Sequence, residues 1–190
     1  FTVRSFDDVL ISPVEEDGLF KVYAVSDRLK ATSGKLTVTV YNVDGTTVGR
    51  HSASVKVASN ASNVVWTMNL ATLLAGTPAD RAVVNVEYTD KAGRSYSDNF
   101  YGAKHIEMQY AKPDVKTSLR PVDGGFELTL SSNKFVRAAF VSFDGQERFI
   151  SDNFMDLLPD RDVTVKVTTD MPLAQVRGLL KVTSLADARK

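Results

Sequence analysis

Apolar and polar residues alternate with a period of two along most of this chain. Phe20, Val22 and Ala24 alternate with Lys21, Tyr23 and Val25, and Leu36, Val38 and Val40 alternate with Lys35, Thr37 and Thr39. That period puts one set of side chains on a buried face and the other toward water, as in a half-buried β-strand. Further runs fall at Val55 and Val57, at Val64-Val65-Trp66, at Val84, Val86 and Tyr88, and from Ser95 to Tyr101. Asp44-Gly45 reads as a two-residue hairpin turn because glycine tolerates positive φ, and Lys91-Ala92-Gly93-Arg94 supplies another turn. About seven strands in roughly 100 residues is the count of an immunoglobulin-like sandwich. One stretch departs from the period. Leu70, Leu73 and Leu74 lie at helical spacing within Met68 to Ala75, with Gly76 and Pro78 closing it, which predicts a short helical turn.

The alternation fades over Lys104 to Asp114, where Pro113 cannot donate to a sheet ladder. It resumes at Val115, then with Phe126, Leu128 and Leu130 against Glu127, Thr129 and Ser131. Val136–Phe143 follows, apolar on both faces and therefore central in its sheet. Asp144-Gly145 predicts a turn, Val163, Val165 and Val167 a strand, and Val176 to Leu185 a last strand. The expectation is an all-β chain of two tandem immunoglobulin-like β-sandwich domains: residues 1–104, a linker over 105–113, and residues 114–190.

Ser-Asp-Asn-Phe occurs twice, at Ser97–Phe100 and Ser151–Phe154. The oxygens of Asp98, Asn99, Asp152 and Asn153 suit Ca²⁺. The favoured reading is that each Asp-Asn bends the chain at a strand end and the following phenylalanine drops into the core. Trp66, Phe126, Leu128, Phe140 and Phe154 are accordingly expected to be core residues.

Charge changes the picture only by exclusion. Lys and Arg number 23 against 23 Asp and Glu, and no basic stripe points to nucleic acid or an anionic membrane surface. No apolar run is long enough to span a bilayer. With no cysteine, disulfides, thiolate metal sites and cysteine nucleophiles are excluded. The chain starts at Phe1 without an initiator methionine or a signal peptide, and reads as an excised or processed piece of a longer polypeptide.

Catalytic chemistry finds no foothold. His51 and His105 do not stand at metal-ligand spacing, and there is no Gly-x-Ser-x-Gly elbow. Glu15-Glu16-Asp17 before Gly18 reads as a solvated turn, and no carboxylate pair can be assigned the spacing that glycoside hydrolysis needs. The expectation is no catalytic residue, no cofactor and no metal on this chain. Flat rings stack on the apolar faces of sugars. Of the aromatics, Tyr23, on the polar side of its strand, and Tyr101 are the candidate sugar-stacking residues. Asn60-Ala61-Ser62 matches a glycosylation sequon, relevant only in a eukaryotic secretory host.

Several phrases, taken in order, resemble a known family. Phe126-Glu127-Leu128-Thr129-Leu130, Arg148-Phe149-Ile150-Ser151-Asp152-Asn153-Phe154, Asp156-Leu157-Leu158-Pro159 and Val182-Thr183-Ser184-Leu185 resemble the C-terminal immunoglobulin-like domain of β-mannosidases of glycoside hydrolase family 2. Val9–Val14, Val25-Ser26-Asp27-Arg28-Leu29, Thr77-Pro78-Ala79-Asp80-Arg81 and Asn99-Phe100-Tyr101 resemble the sandwich preceding it. The resemblance implies a five-domain parent, a retaining exo-acting β-mannosidase. Its catalytic (β/α)₈ barrel would precede Phe1 and carry both catalytic glutamates. Neither motif occurs here, so no catalytic residue carries over. The implied partner is that barrel, within the same polypeptide. Mannose-containing oligosaccharide and a homodimer are left open, with no nucleic acid and no membrane. The implied location is periplasmic or extracellular in a bacterium and lysosomal in an animal. The competing readings are an accessory carbohydrate-binding module and a free-standing immunoglobulin-like adhesion protein.

Overall fold

Alternation becomes strands almost run for run. The computed structural model describes residues 7–143, 149–159 and 161–188, and the chain divides between Gln109 and Tyr110 into two compact units. The first unit contains β1 (Val9–Glu16), β2 (Leu19–Ser26), β3 (Thr32–Asn42), β4 (Thr47–Val57), β5 (Ala61–Asn69), β6 (Ala82–Asp90) and β7 (Ser95–Tyr101). They form two antiparallel sheets, β1-β2-β5 and β4-β3-β6-β7. Ile11, Phe20, Val22, Leu36, Val38, Val40, Val84, Val86 and Tyr88 fill the space between them. This is the core of a sandwich built from alternate positions of both sheets.

The connections follow local chemistry. Asp17 and Gly18 have φ of 53° and 74°, the paired positive values of a tight hairpin turn, and the Gly18 N–H donates to Glu15 Oε1 at 2.7 Å. Only these two residues turn; Glu15 and Glu16 end β1. The expected helical turn is α1 (Leu70–Leu74), with Asn69 Oδ1 accepting from the Thr72 N–H at 3.1 Å and Ala75 left-handed at the C-cap. In β3, Gly34 stands opposite Asp90. A Cβ on Gly34 would lie 2.2 Å from the Thr89 carbonyl oxygen, so only glycine fits this rung.

The second unit contains β8 (Lys116–Val122), β9 (Gly125–Ser131), β10 (Val136–Phe143), β11 (Phe149–Ile150), β12 (Met155–Leu157), β13 (Val163–Thr168), α2 (Leu173–Leu179) and β14 (Leu180–Thr183). The sheets are β11-β13-β9-β8 and β12-β10-β14, over a core that includes Phe126, Leu128, Leu130, Val141, Leu157 and Val167. The molecule is thus all-β with two tandem immunoglobulin-like sandwiches, as the alternation predicts. The turn expected at Asp144-Gly145 lies outside the described residues.

Two expectations fail, for definable reasons. Val176–Leu185 is not one strand: Leu173, Val176 and Leu179 recur at a spacing of three, pack on the core from α2, and only Leu180–Thr183 is extended. The apolar period there is helical, and Pro172 opens it with φ of −60°.

Phe140 and Phe154 are not core residues: they are 36% and 56% exposed. The cause at Phe140 is an irregularity in the β10–β12 pairing between Val136 and Ala139, where Ala138 has φ of 51°. A residue inserted there shifts the alternation by one. Ala139, Val141 and Phe143 then face inward, and Phe140 faces out. Phe126 and Leu128 are buried as expected, and Trp66 is partly buried at the margin of the first core.

Candidate functional site

Both candidate sugar-stacking tyrosines lie in the first unit, on different sheets. Tyr23 points away from the core, between the inward Val22 and Ala24 of β2. Its register partners are Ser12 and Val64, and Leu10 stands opposite Val25 one step along the same face, so Val64, Val25 and Leu10 form an apolar border on one side of it. Its hydroxyl donates to the Glu16 carboxylate at 3.3–3.4 Å, and Lys21 Nζ lies 2.6 Å from the same carboxylate. The Lys21 hydrogen bond holds Glu16 below the ordinary carboxylate range and raises Lys21 in return. Tyr101 ends β7 and meets His105 edge to face at 4.7 Å. The structure therefore does not bring Tyr23 and Tyr101 into one platform. Tyr23 is half-buried, with apolar neighbours on one side and the Glu16–Lys21 pair at its hydroxyl.

Among the described residues of the first unit, a dense charged cluster centres on Arg28, between β2 and β3. Its Nε lies 2.7 Å from Asp8 Oδ2, and its Nη2 lies 3.0 Å from Asp90 Oδ2 and 2.5 Å from Tyr96 Oη. The Tyr96 hydroxyl donates to Asp8 Oδ1 at 2.8 Å, and the Ala92 and Arg94 N–H groups donate to Asp90 Oδ1. The Arg28 side chain is 13% exposed and that of Asp90 is 2% exposed. Asp8 is held below its ordinary value, first by the Arg28 hydrogen bond. Burial alone would raise Asp90, but the Arg94 N–H, Arg28 and the Ala92 N–H outweigh it and lower the net value. Every acidic oxygen here is matched by a donor, so the cluster clamps the segment before β1, the β2–β3 connection and the β6–β7 hairpin together. Nothing in it is poised to move a proton. The sequence could not show this cluster, because its members are up to 88 positions apart.

The second unit has an open cleft of about 520 Å³ lined by Thr117, Ser118, Leu119, Arg177, Ser184 and Asp187 among others. Asp187 Oδ2 accepts from both the backbone N–H and the hydroxyl of Ser184 at 2.8 Å, so the carboxylate is committed to a turn. Among the described residues no group of three or more His, Asp or Glu could hold a metal ion. The oxygens of the repeated phrase are used locally. Asp98 and Asp152 each accept from the N–H of the next residue, and Asn99 accepts from Asn85.

The two copies of that phrase divide the expected behaviour between them. The first runs straight through β7, and Phe100 packs at the margin of the core, 5.3 Å from Phe20. The second turns the chain. Asn153 Oδ1 accepts the Val141 N–H at 2.8 Å, its Nδ2 donates to the Val141 carbonyl at 2.9 Å, and the Phe154 N–H also donates to Oδ1. Phe154 follows with φ of 58°, a left-handed conformation that costs a bulky residue about 1–2 kcal/mol. Its ring stacks on Phe140 at 4.8 Å with 26° between planes, at the solvent face of β10 and β12. Arg137 and Asp156, on β10 and β12, pair at 2.7–2.8 Å. Asn153→Ala is expected to cost about 1–3 kcal/mol by stranding the buried Val141 N–H and carbonyl, read as a lower denaturant midpoint.

Comparison with known proteins places this geometry. Residues 18–104 match the family profile of the mannosidase Ig/CBM-like domain, and residues 110–188 that of the mannosidase Ig-fold domain. No curated protein matches the chain. Among solved structures, the chain is similar to a β-D-mannosidase from Dictyoglomus thermophilum, with 17% identity over 96% of this chain and 22% of that one, at a TM-score of 0.77. It is also similar to an exo-chitosanase from Amycolatopsis orientalis, with 15% identity over 93% of this chain and 25% of that one, at a TM-score of 0.60. At such identities the likeness is one of fold, and the chain spans a quarter or less of either protein.

Proposed function

Since the chain belongs over both its units to the mannosidase immunoglobulin-like domain families, we propose that it is the non-catalytic C-terminal segment of a longer β-mannosidase, where its two sandwiches brace the catalytic barrel. The observation that carries this reading is the ordered pair of family matches over residues 18–104 and 110–188. A solved β-D-mannosidase carrying the same tandem within a much longer chain supports it. The parent would be a retaining, exo-acting enzyme of glycoside hydrolase family 2 that removes terminal β-D-mannose, exported or lysosomal according to its host.

In this reading the chain acts by packing. Interfaces between domains of one polypeptide bury roughly 600–1,500 Å², enough for loss of the segment to loosen what it covers. One observation favours a second reading. Tyr23, with its apolar border, lies in the Ig/CBM-like unit, as an accessory sugar-binding surface would require.

A single comparison separates the two. Melting and mannan binding are measured for the parent with and without residues 1–190. Bracing predicts a lower melting temperature for the truncated enzyme, with its preference between mannan and a small aryl mannoside unchanged. An unchanged melting temperature with weakened binding to mannan alone rejects bracing and selects the sugar-binding surface.

A further inference from the structure

Resting on the reading of the chain as the brace of a longer enzyme, we infer that the Phe154–Phe140 pair is an anchor by which the second sandwich grips the remainder of its own polypeptide, seated in an apolar pocket of that neighbour. Three features of the second unit converge on this. The rings of Phe154 and Phe140 are 56% and 36% exposed although Phe140 belongs to the apolar central strand β10 and Phe154 to the turn just before β12. Phe154 is held out against its backbone preference, with φ of 58°, in a chain direction set by the Asn153 clasp on Val141. Within this unit the exposed ring of Phe154 gains only its stack on Phe140. A left-handed, non-glycine residue fixed by its surroundings is a mark of a working surface. Arg137, three residues before Phe140, pairs with Asp156, two residues after Phe154, so a charged pair stands close to both phenylalanines along the chain, and an apolar anchor beside polar groups is the common layout of an interface.

The occupant follows from area and ring geometry. An aromatic side chain carries about 150–250 Å², so the exposed parts of these two rings come to roughly 200 Å². A freely diffusing partner, including a second copy of this chain, needs about 1,200 Å² or more for a stable complex. A partner tethered on the same chain does not, because its effective concentration is already in the millimolar range, about 1 mM or higher. The solved β-D-mannosidase on which this tandem superposes has more than three quarters of its length outside the matched region, since that region is 22% of the chain. Sugar binding is the alternative that the mannobiose measurement tests, since the stack at 4.8 Å covers one face of each ring and leaves the other.

Thermal unfolding of the 190-residue chain and of the parent enzyme, each as wild type, Phe154→Asn and Phe154→Tyr, tests the anchor. Asparagine accepts the left-handed backbone but removes the ring; tyrosine keeps it. In the chain alone, relief of the backbone offsets the lost ring stack, and Phe154→Asn should melt within about 2 °C of wild type. In the parent it should lower the melting temperature by about 2–4 °C, with Phe154→Tyr near wild type in both. Equal, negligible shifts in chain and parent overturn the anchor. So does a dimer of the chain alone that Phe154→Asn dissolves in light scattering, or protection of the chain by mannobiose that Phe154→Asn abolishes. If removal of residues 1–190 leaves the parent's melting unchanged, bracing itself fails. If removal destabilises the parent and Phe154→Asn does not, only the anchor fails.

Discussion

Phe20→Ala should lower the unfolding free energy of the first sandwich by about 3–5 kcal/mol, the range for emptying a buried aromatic site. Phe20 is fully buried on β2 and meets Trp66 and Phe100 edge-on, with ring centroids 6.1 and 5.3 Å away. Those neighbours come from β5 and β7, on opposite sheets, so neither can collapse into the hole without leaving its own ladder. Denaturant unfolding would show a lower midpoint at unchanged slope; an unmoved midpoint would mean that the sheets are not held together at this ring. Phe154→Ala in the same assay is expected to cost about 1 kcal/mol or less, since only an exposed ring stack is lost.

Arg28→Ala should cost about 2 kcal/mol, for removing a charged donor that serves two carboxylates and a hydroxyl. The figure stays at that level because Asp8 is partly solvated and can recover water. The same network sets the response to acid. The folded pKa values of Asp8 and Asp90 are depressed, so the stability they contribute is whole above the ordinary aspartate value near 3.9. It is lost as pH falls through the lowered folded values. Arg28 is raised, chiefly by its bond to Asp8, and stays charged throughout. Tyr96 is raised by burial and then by Asp8, so its contribution is intact below the ordinary tyrosine value near 10 and declines above it. Unfolding measured from about pH 6 to about pH 2 should show a steep acid limb that flattens in Arg28→Ala. Parallel limbs for wild type and variant would place the acid sensitivity elsewhere.

Strands were legible because burial on one face writes itself into the chain at a period of two, as in Phe20-Lys21-Val22-Tyr23-Ala24. What broke that period was invisible. The left-handed Ala138 in β10 reverses which side Phe140 faces, and no residue type in Val136-Arg137-Ala138-Ala139 announces it. The helix at Leu173–Leu179 was hidden for another reason: Val176, Leu179 and Leu180 satisfy a helical period and a buried strand almost equally over so short a span. Of the candidate residues, the outward position of Tyr23 on β2 could be read from the alternation. The Arg28 clamp and the Phe140–Phe154 stack join residues distant in sequence, and local pattern carries no trace of such meetings. Ser-Asp-Asn-Phe shows the limit most plainly, since the same four residues run straight in β7 and turn before β12.

Gly34 has a consequence for how the first sandwich finds its pairing. A slip of one residue between β3 and β6 would turn Val38 and Val40 out to water and is heavily penalised. A slip of two keeps every valine on its proper side, so hydrophobicity alone would accept it. It would also set Thr32 or Leu36 at the rung that Gly34 holds opposite Asp90, where a side chain would strike the Thr89 carbonyl oxygen. The missing methyl group thus acts as a proofreader: it rejects the two-residue slips that the core cannot detect, before the neighbouring strands close over them.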